Sequence, residues 1–285
     1  MRALLLLSLA TPAFAAERPA DLDALVARFE ATTGVDLHVM GDRSDPDGQI
    51  PSTMGPVDPF LAAAALPHLE EVLLQYPTSI RGGLLQHLHL FGKFQPGGKP
   101  YNGMSRPDYA RIDLALRPRT SMASLQSTLH HELGHLIEFD DTFPRDAWVA
   151  LSAGYSGRLD KQPETKGQDR EVWLAQGFVS RYASKNRHED FAELAQAAFG
   201  RPDAVISWAD TFPALGAKVD LMTEVYHDAA PGMNLPWTPG DDAAPAAPAA
   251  PAPDVTAPPP EPPVAKAPPR RARARRGVDE KGNPR

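Results

Sequence analysis

The chain is predicted to be an α+β protein with a small sheet, and three features of its sequence predict this. Two candidate strands, residues 84–94 and 109–116, alternate at least partly between apolar and polar side chains. Candidate helices with apolar residues at helical spacing follow from residue 121 onward. With 285 residues, 42% of them hydrophobic, the chain is long enough for one well-packed domain and some unstructured extension. Strands that precede helices are typical of the α+β class.

Residues 1–15 are predicted to be a secretory signal peptide. Arg2 supplies the positive charge, Ala3–Leu9 forms a short apolar core, and Ala13-Phe14-Ala15 gives the small-residue cleavage pattern. The apolar run is much shorter than the roughly 20 residues that span a bilayer, and no later stretch is long and apolar enough for a membrane anchor. A short buried helix is the alternative. The position at the extreme N-terminus favours export, so we expect a secreted or periplasmic protein with no transmembrane segment.

Charge and cysteine content exclude several classes of function. The formal net charge is −7, which argues against a general nucleic-acid binder because such proteins normally present a basic surface. The chain has no cysteine, so thiol catalysis, cysteine zinc ligands and disulfides are excluded. Exported domains with a large enough core do not require disulfides.

The elements of the folded part are predicted in chain order. Residues 16–59 form an N-terminal segment with an amphipathic helix, a short strand and a Pro/Gly-rich stretch; the main domain is expected over residues 60–236. The predicted elements are a helix over 21–32, a strand over 35–40, a helix over 60–76, a strand over 84–94, a loop over 95–104, a strand over 109–116, and helices over 121–139, 172–182 and 188–199, with a last helix that carries Leu215, Val219, Met222 and Tyr226 at helical spacing.

Residues 237–285 are predicted to be a disordered tail. Ala243–Pro269 consists almost entirely of alanine and proline, which cannot form a core and favour extended polyproline II structure. Five arginines follow within Arg270–Arg276. The tail is either simply solvated or a spacer whose basic end contacts an anionic envelope surface.

The sequence His131-Glu132-Leu133-Gly134-His135 fits the pattern H-E-x-x-H, which is associated with metalloproteases. Positions four apart lie about 6 Å apart along a helix and nearly on one face, so both imidazoles can bind one ion. Glu132 lies beside the first ligand and can reach a water molecule at that ion. Gly134 leaves space for close packing against the metal-binding face, although it weakens the helix by up to about 1 kcal/mol.

The motif does not specify the third metal ligand, and the sequence offers two candidates. The glycine and final histidine of the extended metzincin pattern are replaced by Glu138 and Asp141, so that the usual turn is missing. Asp141 is one candidate. The other is Glu189, which lies with Glu193 on one face of a predicted helix, where one carboxylate can bind the ion while the other supports it.

Three other histidines lie beside the motif or on a predicted strand. His130 is adjacent to the motif but rotated by about 100° from His131, so it is expected to support the site or lie on the surface. His87 and His89 share one face of the strand over residues 84–94. These two are interpreted either as a metal-binding pair or as part of a solvated strand face.

The segment Tyr182-x6-Glu189-x3-Glu193, some fifty residues after H-E-x-G-H, resembles the lethal-factor-like group of bacterial zinc-binding metallopeptidases, which includes the catalytic domain of anthrax toxin lethal factor. The resemblance covers about residues 60–228. It implies a zincin-like fold of the gluzincin type, with His131, His135 and Glu189 as ligands of one Zn²⁺. It also implies that Glu132 is the general base and that Tyr182 donates a hydrogen bond to the oxyanion.

The resemblance predicts an exported zinc-dependent peptidase that acts on peptide or protein substrates through a zinc-activated water molecule. By analogy with zincins, residues 109–116 are expected to be the edge strand against which a peptide lies. The alternative is an inactive zincin-fold protein that binds envelope partners or has a structural role. Glu132 and Tyr182 argue against that alternative, since a protein that only binds needs neither.

Overall fold

The computed structural model describes residues 21–40, 54–152, 154–155 and 170–238. The predicted signal peptide, most of the Pro/Gly-rich stretch and nearly all of the predicted tail lie outside the described residues. Within the described ranges, no helix is both long and apolar enough to cross a membrane. The limits predicted for the signal peptide, main domain and tail stay predictions.

The described ranges form four strands and eight α-helices. The strands are β1 (Asp36–Val39), β2 (His87–Phe91), β3 (Gly103–Arg106) and β4 (Arg111–Ala115). The helices are α1 (Leu22–Thr33), α2 (Pro59–Leu73), α3 (Met122–Phe139), α4 (Arg145–Ala150), α5 (Arg170–Ala175), α6 (Arg187–Gly200), α7 (Pro202–Thr211) and α8 (Pro213–Ala229). A short π-helix, Ser79–Leu84, precedes β2. This mixture of helices with a small sheet agrees with the α+β prediction.

The four strands form one sheet in the order β1-β2-β4-β3. The first three of these are parallel to one another, and β3 is antiparallel to β4. Because β4 has a neighbour on both sides, the expectation that residues 109–116 form the edge strand is wrong; β3 is the edge on that side of the sheet. Gly103 and Met104 of β3 were predicted to end a Gly/Pro loop, and Ser105 and Arg106 were assigned to no element.

The turn between β3 and β4 explains how the sheet acquires this edge. A 3₁₀ turn, Pro107–Tyr109, reverses the chain after β3. Ala110 then adopts a φ of 47°, an uncommon left-handed conformation for a residue with a side chain. Since this reversal pairs β3 with β4 in an antiparallel register, the two strands form a hairpin beside α3.

One core joins the helices to one face of the sheet. Leu88 and Leu90 of β2 point into it, as do Leu129 and Leu133 of the long helix α3. Phe29 of α1 is buried in the same core, and β1 pairs directly with β2. The N-terminal helix and strand therefore pack together with the elements that follow residue 59.

Two helices occur where no element was predicted, and one predicted helix is shorter. Helix α4 spans only six residues, too few for a periodic pattern, and α7 buries only Val205. Helix α5 ends at Ala175 instead of Tyr182. Gly177 adopts a φ of 80° just after it, which is a left-handed conformation that glycine favours and that stops a helix.

Candidate metal centre

Helix α3 presents two motif histidines to α6. Its start is fixed by Ser121, whose Oγ accepts a hydrogen bond from the backbone N–H of Ser124 at 3.2 Å. Within the motif, a Cβ added to Gly134 would lie 3.0 Å from the Cα of Ala192 on α6. A side chain at this position would push the two helices apart. Gly134 therefore permits the close packing that was predicted from the motif.

Helix α6 carries Glu189 in its first turn. The Oδ1 atom of Asn186 accepts a hydrogen bond from the Glu189 backbone N–H at 2.9 Å and thereby caps the helix. The buried Glu138 near the end of α3 accepts a hydrogen bond from Arg187 Nε at 2.5 Å and contacts His188 Nδ1. These ion pairs hold the start of α6 against the end of α3, and so place Glu189 opposite the histidines.

The side chains of His131, His135 and Glu189 converge on one point. Glu189 Oε2 lies 3.4 Å from His131 Nε2 and 3.5 Å from His135 Nε2. A tetrahedral zinc ion with bonds of about 2.0–2.1 Å would separate its ligand atoms by about 3.3–3.4 Å. The donor types and their spacing therefore fit zinc, and one tetrahedral position remains for a water molecule or a substrate.

Asp141, the other candidate for the third ligand, is not part of this cluster. Its side chain is fully exposed and lies 4.0 Å from Arg145. Among the described residues, only His131, His135 and Glu189 form a group whose ligand atoms all lie within 4.8 Å of one another.

The electrostatics of the cluster favour a bound cation. Burial alone would lower the pKa of His131, but the Glu189 and Glu193 carboxylates raise it to about 10. Burial would likewise raise the pKa of Glu189, but hydrogen bonds from His131, His135 and Lys185 hold it well below its usual range. The carboxylates that favour a proton on His131 would favour a metal cation in its place.

Glu193 supports His131 from the side away from the ligand atoms. Its Oε1 atom lies 3.3 Å from His131 Nδ1, and its Oε2 accepts a hydrogen bond from Ser180 Oγ at 2.6 Å. Glu193 therefore lies beside the second ring nitrogen of His131, the position from which a carboxylate orients a metal-binding histidine.

Glu132 lies on the cleft side of α3, against the edge strand. Burial raises the pKa of its carboxyl group, while the two histidines and hydrogen bonds from Ser105 oppose that shift. A Cβ added to Gly103 of β3 would lie 2.7 Å from Glu132 Oε1. The carboxylate therefore occupies space that only a glycine at position 103 leaves open. This role of Gly103 cannot be predicted from the sequence, because a lone glycine in a Pro/Gly-rich stretch gives no specific signal.

Tyr182 and Lys185 both contact the second oxygen of Glu189. The Tyr182 hydroxyl donates to Glu189 Oε1 at 2.8 Å, and Lys185 Nζ donates to the same atom at 2.5 Å. Burial and the Glu189 carboxylate raise the pKa of Tyr182, so its hydroxyl remains a hydrogen-bond donor. The contact of Lys185 with Glu189 was not predicted. It could have been predicted from sequence, because Lys185 lies four residues before Glu189, which is the spacing of a helical ion pair.

A cleft of about 290 Å³ lies at the candidate metal centre. Its walls come from β3 and the loop before it, from α3 and from the start of α6. The lining residues are Tyr101, Gly103, Met104, Ser105, His131, Glu132, His135, Phe139, Tyr182, Asn186, His188 and Glu189.

A buried polar network lies directly behind the cluster. Asp190, next to Glu189 in sequence, accepts hydrogen bonds at Oδ2 from Lys218 Nζ at 2.7 Å, Tyr155 Oη at 2.9 Å and Trp148 Nε1 at 3.0 Å. Both Asp190 and Lys218 are almost completely buried. The network connects α4, α6 and α8 beside Glu189.

The remaining candidate histidines lie away from this cluster. His130 is buried, forms a hydrogen bond of 2.8 Å with the Tyr76 hydroxyl, and stacks on Phe199. It therefore has a packing role behind α3. His87 and His89 lie on the face of the sheet opposite the core that contains Leu88 and Leu90.

Comparisons with known proteins agree with this site. Residues 110–208, about a third of the chain, match a protein family described as "Putative zinc-binding metallo-peptidase". The matched stretch contains α3 and α6, and with them all three residues of the cluster. No match is found among curated protein sequences. The narrower resemblance to lethal factor stays a prediction.

A crystal structure described as a putative zinc-binding metallo-peptidase from Bacteroides caccae has a similar fold. The two chains are 14% identical and superpose with a TM-score of 0.53 over 78% of this chain and 90% of the other. At this level of identity the likeness shows a shared fold.

Proposed function

We propose that the protein is an exported zinc-dependent peptidase with one catalytic ion held by His131, His135 and Glu189. The convergence of these three donors on one point is the observation that carries the proposal. Two imidazoles and a glutamate, with a fourth position free, are the ligand set of several zinc peptidases. The match of residues 110–208 to a zinc-binding metallopeptidase family supports the same activity.

A zinc ion held by His131, His135 and Glu189 would supply Lewis-acid activation of a water molecule and of the scissile carbonyl group. Glu132 would take the proton of the attacking water and pass it to the leaving amine. Its burial against β3 supports this role, because a raised pKa makes the protonated form easier to reach. Tyr182 donates a hydrogen bond to the negative oxygen of the tetrahedral intermediate.

Strand β3 is the proposed docking edge for the substrate. It pairs with β4 on one side only, and Gly103, Met104 and Ser105 line the cleft next to Glu132. An extended peptide can add to such an edge through main-chain hydrogen bonds, which depend little on sequence. The exposed rings of Tyr101 and Phe139 at the cleft favour apolar substrate side chains.

Peptide hydrolysis by zinc-reconstituted protein tests the proposal. The purified chain is stripped with a chelator, reloaded with zinc and incubated with a peptide library whose products are identified by mass spectrometry. We expect cleavage that disappears on chelation and returns with zinc. Zinc binding without any cleavage would instead favour an inactive protein that binds envelope partners, and cleavage that ignores the chelator would contradict a metal mechanism.

Export is part of the proposal and is supported by the sequence of residues 1–15. N-terminal sequencing of the protein from the periplasmic or extracellular fraction is expected to begin at Ala16. Protein found only in the cytoplasm with an intact Met1 would contradict export. The basic end of the tail, Arg270–Arg276, is proposed to contact an anionic envelope surface.

Replacement of Tyr182 by phenylalanine is expected to lower kcat by about 10²- to 10³-fold, because one oxyanion donor is lost. KM and zinc content should change little, since Lys185 still holds Glu189 Oε1. Steady-state kinetics and metal analysis measure both. Tyr109→Phe, which alters an exposed ring outside the cleft, is the control. A Tyr182→Phe enzyme with unchanged kcat would remove Tyr182 from the mechanism.

Replacement of Gly103 by alanine is expected to lower kcat by about 10- to 100-fold without unfolding the protein. The new Cβ would lie 2.7 Å from Glu132 Oε1 and 2.8 Å from both Glu132 Cγ and Thr128 Cγ2, so both side chains must shift. A shift of about 1 Å in a catalytic group can cost that much. Kinetics and a thermal melt measure the two effects. Gly83→Ala is the matched control, because a Cβ there meets no atom within 4 Å. Equal activity of the two variants would show that β3 does not position Glu132.

A further inference from the structure

A second cleft, of about 350 Å³, lies against the start of α3, next to the cleft at the candidate metal centre. Ser124 and Thr128 line this second cleft. Glu132, one turn beyond Thr128, lines the cleft at the metal centre. Because residues four apart on a helix share one face, both clefts lie on the same face of α3. A Cβ added to Gly103 would lie 2.8 Å from Thr128 Cγ2 and 2.7 Å from Glu132 Oε1, so the two clefts adjoin at the start of β3.

The second cleft is positively charged, and we call it the arginine cleft after Arg117 and Arg119. These two side chains are the charged groups of its lining, which otherwise consists of hydroxyl, amide and apolar side chains. Arg117 donates hydrogen bonds to neutral oxygens, from Nη1 to Asn102 Oδ1 at 3.0 Å and from Nη2 to the Tyr101 carbonyl at 2.6 Å. Within the described part of the chain, neither guanidinium group forms an ion pair. The positive charge of the cleft is therefore available to an anionic ligand.

A tight turn between β4 and α3 positions both arginines. The Thr120 backbone N–H donates to the Arg117 carbonyl at 2.9 Å, and the Arg117 N–H donates to Thr120 Oγ1 at 3.1 Å. Pro118 occupies the second position of this β-turn, where its fixed φ is favourable. Since both the backbone and the side chain of Arg117 are held in place, its guanidinium group loses little conformational entropy when it binds an anion. Arg119 is exposed and extends from the same turn.

A peptide that adds to β3 passes both clefts. Asn102, just before β3, lines the arginine cleft, whereas Ser105 of β3 lines the cleft at the metal centre. Ser124 precedes Glu132 by eight residues, which corresponds to about 12 Å along a helix. An extended peptide advances about 3.3 Å per residue. A side chain about three or four residues from the scissile bond therefore reaches the arginine cleft.

We propose that the arginine cleft binds an acidic side chain of the peptide substrate, about three or four residues from the scissile bond. This specificity rests on the proposed peptidase function and names the class of peptide that the protein cleaves. A carboxylate accepts charge-assisted, two-point hydrogen bonds from a guanidinium group, which makes arginine well suited to hold it. The Glu132 carboxylate disfavours a second negative charge at the metal centre, so the acidic side chain is favoured at the arginine end of the substrate.

Paired peptides test this specificity. Peptides that the zinc-loaded protein cleaves are made with Glu or Gln at the third, fourth or fifth position on either side of the scissile bond. At one of these positions kcat/KM is expected to be about 10-fold higher for Glu, the effect of one hydrogen bond to a charged group. Arg117→Gln/Arg119→Gln should make the two values equal. Arg28→Gln, at an exposed arginine on α1, is the control and should retain the preference.

A charge reversal distinguishes recognition from structural damage. Arg117 also holds the loop before β3, whereas Arg119 forms no hydrogen bond or ion pair within the described ranges. Arg119→Glu should therefore leave the cleft intact and raise kcat/KM for a Lys peptide relative to the Glu peptide. Damage to the cleft would instead lower the values for all peptides alike. An undiminished preference for Glu in both variants would overturn the proposal.

Peptide binding gives a readout that does not require hydrolysis. Fluorescence anisotropy is measured for labelled library peptides that differ only in Glu or Gln. Tighter binding of the Glu peptide that is lost in Arg117→Gln/Arg119→Gln, without any cleavage, would support the arginine cleft and reject the peptidase. Cleavage with equal kcat/KM for Glu and Gln at every position would overturn the acidic preference and leave the peptidase intact. Inorganic phosphate that binds to the cleft while the two peptides bind equally would show a site for free anions only, and would also overturn it.

Discussion

Replacement of Glu132 by glutamine is expected to reduce kcat for peptide hydrolysis by about 10²- to 10⁴-fold, while the zinc content stays unchanged. Glutamine has nearly the same shape as glutamate, so it fits the space beside Gly103, but it cannot accept the proton of the attacking water. Because Glu132 is not among the three converging donors, metal binding should be unaffected.

Steady-state kinetics on a cleaved peptide and elemental analysis of the same preparation test this expectation. Glu224→Gln, an exposed carboxylate on α8, is the matched control and should retain full activity. Retained hydrolysis in Glu132→Gln would reject the general-base assignment. Loss of zinc in that variant would mean that Glu132 binds the metal itself.

Replacement of Lys218 by methionine is expected to lower the free energy of unfolding by about 3–5 kcal/mol, because it leaves the buried Asp190 carboxylate without its cation. Methionine preserves most of the apolar stem of lysine but removes the ammonium group that donates to Asp190 Oδ2 and to the Gly177 carbonyl. Trp148 and Tyr155 still donate to Asp190, but their neutral groups cannot balance its charge.

Urea denaturation measures this loss. The double variant Asp190→Asn/Lys218→Met should be more stable than Lys218→Met alone, since a neutral amide costs less to bury than an unpaired carboxylate. Lys99→Met, at an exposed lysine, is the control and should change stability by less than about 0.5 kcal/mol. A loss below about 1 kcal/mol in Lys218→Met would mean that water reaches Asp190 in solution.

Local patterns were sufficient to predict the helices that carry His131, His135 and Glu189. The helix expected over residues 121–139 is α3 (Met122–Phe139). It could be predicted because its signals are local: Ser121 caps the helix, and an apolar stripe follows at helical spacing. The helix expected over residues 188–199 is α6, for which the cap is Asn186. Residues four apart on such helices share a face whatever the fold, so the relation between His131 and His135 needed no tertiary information.

The edge strand and the choice of third ligand depended on long-range contacts instead. Strand β3 exists because β4 offers it a partner, and the residues of β3 have little strand preference of their own. Sequence spacing left Asp141 and Glu189 as alternatives. The fold favours Glu189 because Gly134 allows α6 to pack closely against α3. The distance between two helix backbones cannot be read from a local sequence pattern. The role of Gly103 was missed for the same reason, whereas Lys185 could have been found from its position four residues before Glu189.

A crystal structure of the zinc-loaded protein, with anomalous diffraction recorded at the zinc edge, tests the metal site directly. We expect an anomalous peak between His131 Nε2, His135 Nε2 and a Glu189 oxygen, about 2.0–2.2 Å from each, with a water molecule in the fourth position. A peak there that lacks Glu189 as a ligand, or a fourth protein side chain in the position of the water, would contradict the peptidase assignment.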